Sequence, residues 1–171
     1  QLSVAKDQTN PSNIVTGNPN LDPSFANRLS IRFRSFNPEQ ASSFMLFGRL
    51  SYTLDDIVNI SDIDNNGVKY TTYGNVNGNF DGILRFMFNT PLRFNTKFSV
   101  NSMSFGSFSR KEGVIDNISN IAKTTGLQET LGLEYRSDIF DAGGRGNLSY
   151  NNIKNTSRKG QTTYSYGGSF N

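Results

Sequence analysis

The chain has 171 residues, and 17 basic against 14 acidic side chains give it a net charge of +3. That is one ordinary domain's worth of chain, yet Asn, Ser and Thr supply 55 residues and hydrophobic types only 35%. Twenty-one residues are Phe or Tyr, which excludes aromatic-poor disorder; the lack of cysteine and histidine excludes disulfides, thiolate or imidazole metal sites and a Ser-His-Asp triad.

From Phe25 onward polar and apolar residues alternate with period two, which predicts strands rather than helices. The first segment sets Phe25, Leu29, Ile31 and Phe33 against Arg28, Ser30, Arg32 and Arg34, and ends in a turn at residues 37–40. The second sets Phe44, Leu46, Gly48, Leu50, Tyr52 and Leu54 against Met45, Phe47, Arg49, Ser51, Thr53 and Asp55.

The third segment alternates without a break from Tyr70 to Phe88, two to three times the usual strand length. Its even positions include Gly74, Val76, Gly78, Phe80, Gly82, Leu84 and Phe86, and its odd ones Asn75, Asn77, Asn79, Asp81 and Arg85. Val76 to Phe88 spans roughly 40 Å of strand at ~3.3 Å per residue. Tilted by about 45°, it stands roughly 28 Å tall, close to the ~25 Å apolar band of an outer-membrane barrel. That match favours a membrane barrel.

A turn at residues 89–91 leads into a strand through Leu92, Phe94, Phe98 and Val100. Another follows through Leu127, Leu131, Leu133 and Tyr135, and residues 137–141 connect it to Gly144, Gly146, Leu148 and Tyr150. The last segment, Tyr164 to Phe170, breaks off at Asn171. Seven strands are expected, with a partial eighth near Leu2–Val4. The connections alternate between short turns and longer polar loops near residues 55–67, 109–120 and 152–161, as barrels place short turns inside and long loops outside. Phe33, Phe44, Phe86, Phe88, Phe94 and Tyr135 gather near the short turns, and Tyr52, Tyr70, Tyr150 and Tyr164 near the long loops, as interfacial girdles would.

No run approaches the ~20 apolar residues of a spanning helix. Signal-peptide and lipidation patterns are missing, and a start at Gln1 suggests a processed or excised chain. The pI of 9.2 comes without any Lys/Arg block, so no nucleic-acid partner is expected.

The stretch Asn10-Pro11-Ser12-Asn13-Ile14-Val15-Thr16-Gly17-Asn18-Pro19-Asn20-Leu21-Asp22-Pro23, followed by a strand, resembles a signature of TonB-dependent receptors. More narrowly it resembles the Bacteroidetes outer membrane β-barrel family, with Ser24 where Glu often stands and Asp22 where Lys often stands. The resemblance implies a barrel of about 22 strands around a plug, importing a solute with energy from TonB. Residues 1–171 would then be one segment of that barrel, with the plug and the remaining strands elsewhere in the parent chain. The expected fold is all-β, with antiparallel up-and-down strands forming part of a large transmembrane β-barrel in the bacterial outer membrane. Two alternatives are a complete eight-stranded outer-membrane barrel for adhesion or anchoring, and a soluble lipocalin-like or sandwich binding domain. The broken-off last strand speaks against the first, and the Arg-lined polar face against the second.

Candidate sites follow from the same faces. Arg32, Arg34, Arg85, Arg93, Arg136 and Arg145 lie on the polar face near the short turns. They could hold a plug through carboxylate pairs or draw anionic solute through the lumen, and the plug's expected place at that end favours the first. Asp81 and Glu134 are candidate partners for them within the wall. Asp62-Ile63-Asp64-Asn65-Asn66-Gly67 opens like an EF-hand calcium loop, but Tyr73 occupies the twelfth position, so a polar hairpin explains it better. Asp62, Asp64, Asn66, Arg110 and Lys111 are candidate outer-loop ligand contacts. Gly74, Gly78, Gly82, Gly144 and Gly146 are placed on the outward face, where glycine admits bends and neighbouring aromatics. Asp55, Asp56 and Asp116 fix no carboxylate separation, so no glycosidase chemistry is expected. No enzyme activity and no cofactor are expected. The expected partners are the plug and remaining strands, TonB, outer-membrane lipid and an imported solute.

Overall fold

The computed structural model describes residues 6–115 and 118–171. The possible strand near Leu2–Val4, and Asp116, lie outside the described residues. All regular structure is β: β1 (Lys6–Asn10), β2 (Asn13–Thr16), β3 (Phe25–Asn37), β4 (Ser42–Leu54), β5 (Asp56–Ile63), β6 (Lys69–Val76), β7 (Asn79–Leu92), β8 (Asn95–Ile115), β9 (Ile118–Arg136), β10 (Asp141–Asn155) and β11 (Gln161–Phe170).

Seven of these strands form an antiparallel wall in the order β3-β4-β7-β8-β9-β10-β11. They are the seven expected from the alternation. The wall stays open, because β3 and β11 each have one unpaired edge among the described residues. The other four strands form a small outer sheet in the order β1-β2-β6-β5, with β2 and β6 parallel. It joins the wall where β5 runs parallel to the far end of β8, at Ile60–Val114 and Ser61–Ile115.

The long third segment is therefore two strands. The chain breaks between Val76 and Asn79, where Gly78 has φ +86°, a left-handed conformation that costs glycine least. Alternation continues across the break, so periodicity cannot reveal it. Gly78 thus marks a corner and Gly74 and Tyr70 belong to the outer sheet, whereas Gly82, Gly144 and Gly146 do lie on the wall's apolar face.

Other boundaries move for similar reasons. The β7–β8 turn is Arg93-Phe94, and residues 89–91 are strand, with a bulge between Pro91 and Leu92 that accommodates proline's missing N–H. Residues 109–115 and 118–120 are not loop but the paired ends of β8 and β9, since polar residues ladder as well as apolar ones. Residues 56–63 of the first expected loop are β5, and the third shrinks to residues 156–160. Only the 38–41 and 137–140 turns fall close to expectation.

No apolar side chain is buried among the described residues. The wall is a single layer with most of its apolar side chains on one face: Leu29 is 69% exposed, Ile31 59%, Leu84 54% and Leu148 62%. A soluble sandwich or lipocalin-like domain would bury this face against a second layer, and none is present among the described residues. Only lipid or protein can cover it.

Candidate functional site

The apolar face reads across the strands as rungs of paired residues. One runs Leu29–Leu50–Gly82–Phe108, the next Ile31–Gly48–Leu84–Gly106–Leu127–Tyr150. At Gly48 the strands pack closely: a Cβ there would lie 3.0 Å from Ile31 Cγ2, so the Ile31 side chain would have to shift by a few tenths of an ångström. Aromatic pairs close both ends. Phe33–Phe44 and Phe44–Phe86 meet edge to face at 5.7 and 5.1 Å, and Phe98–Tyr135–Phe140 form a second group by the 137–140 turn. Phe80–Phe108 and Tyr150–Tyr164 stand at the long-connection end. Each such pair contributes about 0.5–1.5 kcal/mol.

One residue on this face was not anticipated. Glu129 belongs to the rung Phe33–Leu46–Phe86–Ser104–Glu129–Leu148–Tyr166, six residues along β9 from Tyr135. Its carboxylate accepts a 2.8 Å hydrogen bond from Ser102 Oγ. Its parity with Leu127 and Leu131 would have revealed it in the sequence. A carboxylate costs less in the apolar band than the ~2–4 kcal/mol of Arg or Lys. Glu129→Leu should therefore stabilise the protein in lipid by about 1 kcal/mol, read as a higher urea midpoint. A lower midpoint would show that the Ser102 hydrogen bond outweighs the cost of placing the carboxylate in the apolar band.

The opposite face is polar and water-compatible. Its central rung reads Arg32–Phe47–Arg85–Phe105–Gln128–Ser149–Ser165. The Arg32 guanidinium carbon lies 5.5 Å from the Phe47 ring centre, and that of Arg85 5.7 Å from the Phe105 ring centre. Exposed cation–π contacts of this kind contribute about 0.5–1 kcal/mol each. The next rung reads Arg34–Met45–Met87–Met103–Thr130, so all three methionines of the chain stand side by side.

The six candidate arginines thus separate. Arg32, Arg34 and Arg85 form one patch with Phe47, Phe105 and the methionines. Arg93 lies in the β7–β8 turn, and Arg145 on β10 opposite Gly132. Arg136 lies 3.8 Å from Asp141 and 4.0 Å from Glu134, an exposed network of little energetic weight. Of the two expected in-wall carboxylates, Glu134 meets an arginine and also accepts from Asn101 Nδ2. Asp81 lies on the polar face opposite Ser51 and Ser109.

At the long-connection end, an asparagine ladder fastens the outer sheet to the wall. Asp55 has φ +49°, and its N–H donates to Asn77 Oδ1 while Asn77 Nδ2 donates to Asp55 Oδ1. Asn75 Nδ2 donates to the carbonyls of Asp22 and Asp55, and its Oδ1 accepts from Asp22 N. Asn79, only 5% exposed, donates to Asp56 Oδ2 at 2.7 Å and accepts from Glu112 N at 2.7 Å. Arg110 donates to the Gly78 carbonyl at 2.6 Å and pairs with Glu112 at 3.1 Å, and Glu112 also accepts from Ser119 Oγ.

Arg110 is therefore a brace across the corner rather than a free loop cation. Lys111 is exposed and stands opposite Ala122. Asp64 caps the β5–β6 turn, its Oδ1 accepting from Asn66 N and Val68 N, while Asp62 sits in β5 opposite Tyr70. Those contacts make the hairpin reading of the calcium-like stretch the physical one. Asn18 Nδ2 donates to the Tyr73 carbonyl, so the residue 17–23 stretch runs along β6 before entering the wall at Phe25. In β1, the Thr9 hydroxyl and N–H donate to Asp7 and hold its carboxyl below the usual value. This contribution is present above the ordinary Asp range and fades as pH falls through the lowered value.

The described residues thus place an apolar band on one side of an open antiparallel wall, an arginine-rich face on the other, and a braced outer sheet at one end. No curated protein and no solved structure matches the chain significantly. The family model described as the outer membrane protein beta-barrel family matches residues 1–157. The chain accordingly belongs to that family, and its apolar face is the lipid-facing side of a wall in the bacterial outer membrane.

Proposed function

We propose that residues 1–171 form part of the wall and outer loops of a TonB-dependent receptor of the Bacteroidetes type, which imports a solute across the outer membrane. The observation that carries this reading is the Gly17–Pro23 stretch, held on the outer sheet by Asn18 and Asp22 directly before the first wall strand. The receptor signature belongs to an outer loop before a barrel strand, and this stretch's position before β3 supports the reading. The open edges of β3 and β11 support a larger barrel, because lipid cannot satisfy unpaired backbone groups.

On this reading the chain does no covalent chemistry. It supplies a lumen wall, a lipid seal and outer loops, while the plug, the remaining strands and the TonB contact come from the parent chain. The polar face lines the lumen, with Arg93, Arg136 and Arg145 near the periplasmic turns as plug-facing groups.

Outer membranes of the source cell, probed with an antibody to this segment before and after boiling, test the reading. The expected result is a heat-shifted band several times heavier than 19.0 kDa, and uptake that stops when TonB is removed. A membrane band near 19.0 kDa would instead establish a small self-contained barrel, and signal only in the soluble fraction would overturn the membrane assignment.

A further inference from the structure

Three lumen-facing arginines and five soft apolar side chains form one contiguous patch over four neighbouring strands. Its two rungs are Arg32–Phe47–Arg85–Phe105 and Arg34–Met45–Met87–Met103. No carboxylate lies on either rung anywhere from β3 to β11. Among the described ion pairs, none involves Arg32, Arg34 or Arg85. The patch therefore presents positive charge that the wall itself does not neutralise.

From this arrangement we infer that the lumen wall carries a binding site for anionic solutes with an aromatic or apolar body. The inference rests on the import reading and names the class of solute. Arg32 and Arg85 lie two strands apart, about 10 Å between backbones, with the Phe47 ring between them. A flat apolar body can lie on Phe47 while its carboxylate, sulfonate or phosphate takes charge-assisted hydrogen bonds from a guanidinium edge.

Two features fit a transient solute better than a permanent protein partner. Arg32 and Arg85 are already held against Phe47 and Phe105, so they need no fixed carboxylate to keep their orientation. The neighbouring surface is methionine, whose flexible thioether adapts to occupants of different shape, and Met87 and Met103 are 38% and 41% exposed.

The intact receptor, purified in mild detergent, is titrated with 2-naphthalenesulfonate and, separately, with the naphthyl-trimethylammonium analogue and inorganic sulfate. Saturable sulfonate binding is expected, at least about tenfold tighter than either comparator and weakening with salt. The R32Q/R85Q double variant should lose about tenfold or more and F47L should lose several-fold, while R158Q, in the exposed 156–160 turn, binds like the wild type. Retained heat-shift behaviour confirms that each variant is folded. Equal binding of the cationic analogue, or sulfonate binding indifferent to R32Q/R85Q, overturns the inference. So does a wild type that does not bind while R32Q/R85Q lowers its unfolding midpoint, since the patch is then covered by the parent chain. Absent sulfonate binding beside TonB-dependent uptake sinks this inference alone. Sulfonate binding without TonB dependence sinks the import reading and leaves the site.

Discussion

Leu84→Arg is expected to destabilise the intact protein in lipid vesicles by about 2–4 kcal/mol, whereas Gln128→Arg should change stability by less than about 0.5 kcal/mol. Leu84 stands mid-strand in β7, 54% exposed, on the rung Ile31–Gly48–Leu84–Gly106–Leu127. Hydrocarbon offers a guanidinium no hydrogen-bond partner there, and the side chain is too far from either interface to escape cheaply. Gln128 lies on the opposite face, on the rung of Arg32 and Arg85, where water solvates a new charge. Urea midpoints of the heat-shifted band in vesicles give both values. Equal costs for the two variants would mean that the faces have been assigned wrongly.

Asn79→Ala should loosen the outer sheet from the wall at a cost of about 1–3 kcal/mol. Asn79 is nearly buried, and its amide joins β5 to β8 through Asp56 and the Glu112 N–H. Alanine leaves the Glu112 N–H and the Asp56 carboxylate without that partner, beside a corner that already holds Asp55 and Gly78 at positive φ. Amide hydrogen exchange locates the effect. Protection should fall across residues 56–76 and persist in the wall part of β7. Unchanged protection in β5 and β6 would show that the β5–β8 pairing alone carries the junction.

These experiments address two different layers of the protein, and the sequence spoke unequally about them. The wall was legible because a strand with lipid on one face and water on the other must alternate at every residue. Leu29, Ile31, Leu46, Leu50, Leu84, Leu127 and Leu148 all stand on the side that their parity predicts. The arginine face followed from the same parity, as did the short turns after β3 and β9.

Periodicity was silent where it does not change. Tyr70 to Phe88 alternates through the corner at Gly78, so only the positive φ and the asparagine contacts separate β6 from β7. Polar residues 109–120 read as loop because ladder hydrogen bonds are made by backbone, which carries no side-chain signature. Glu129 carries little signal of its own, because Leu127 and Leu131 on either side keep the apolar pattern of that face.

The sequence by itself determined the fold class, the seven wall strands and which side of each meets lipid, since that information is written residue by residue. The tertiary structure alone decided register, and register assembles the proposed site. It brings Arg32, Phe47, Arg85 and Phe105 from four strands onto one rung, and three methionines onto the next. It also turns an expected loop into an outer sheet, because Asn75, Asn77 and Asn79 find partners up to 53 residues away in sequence.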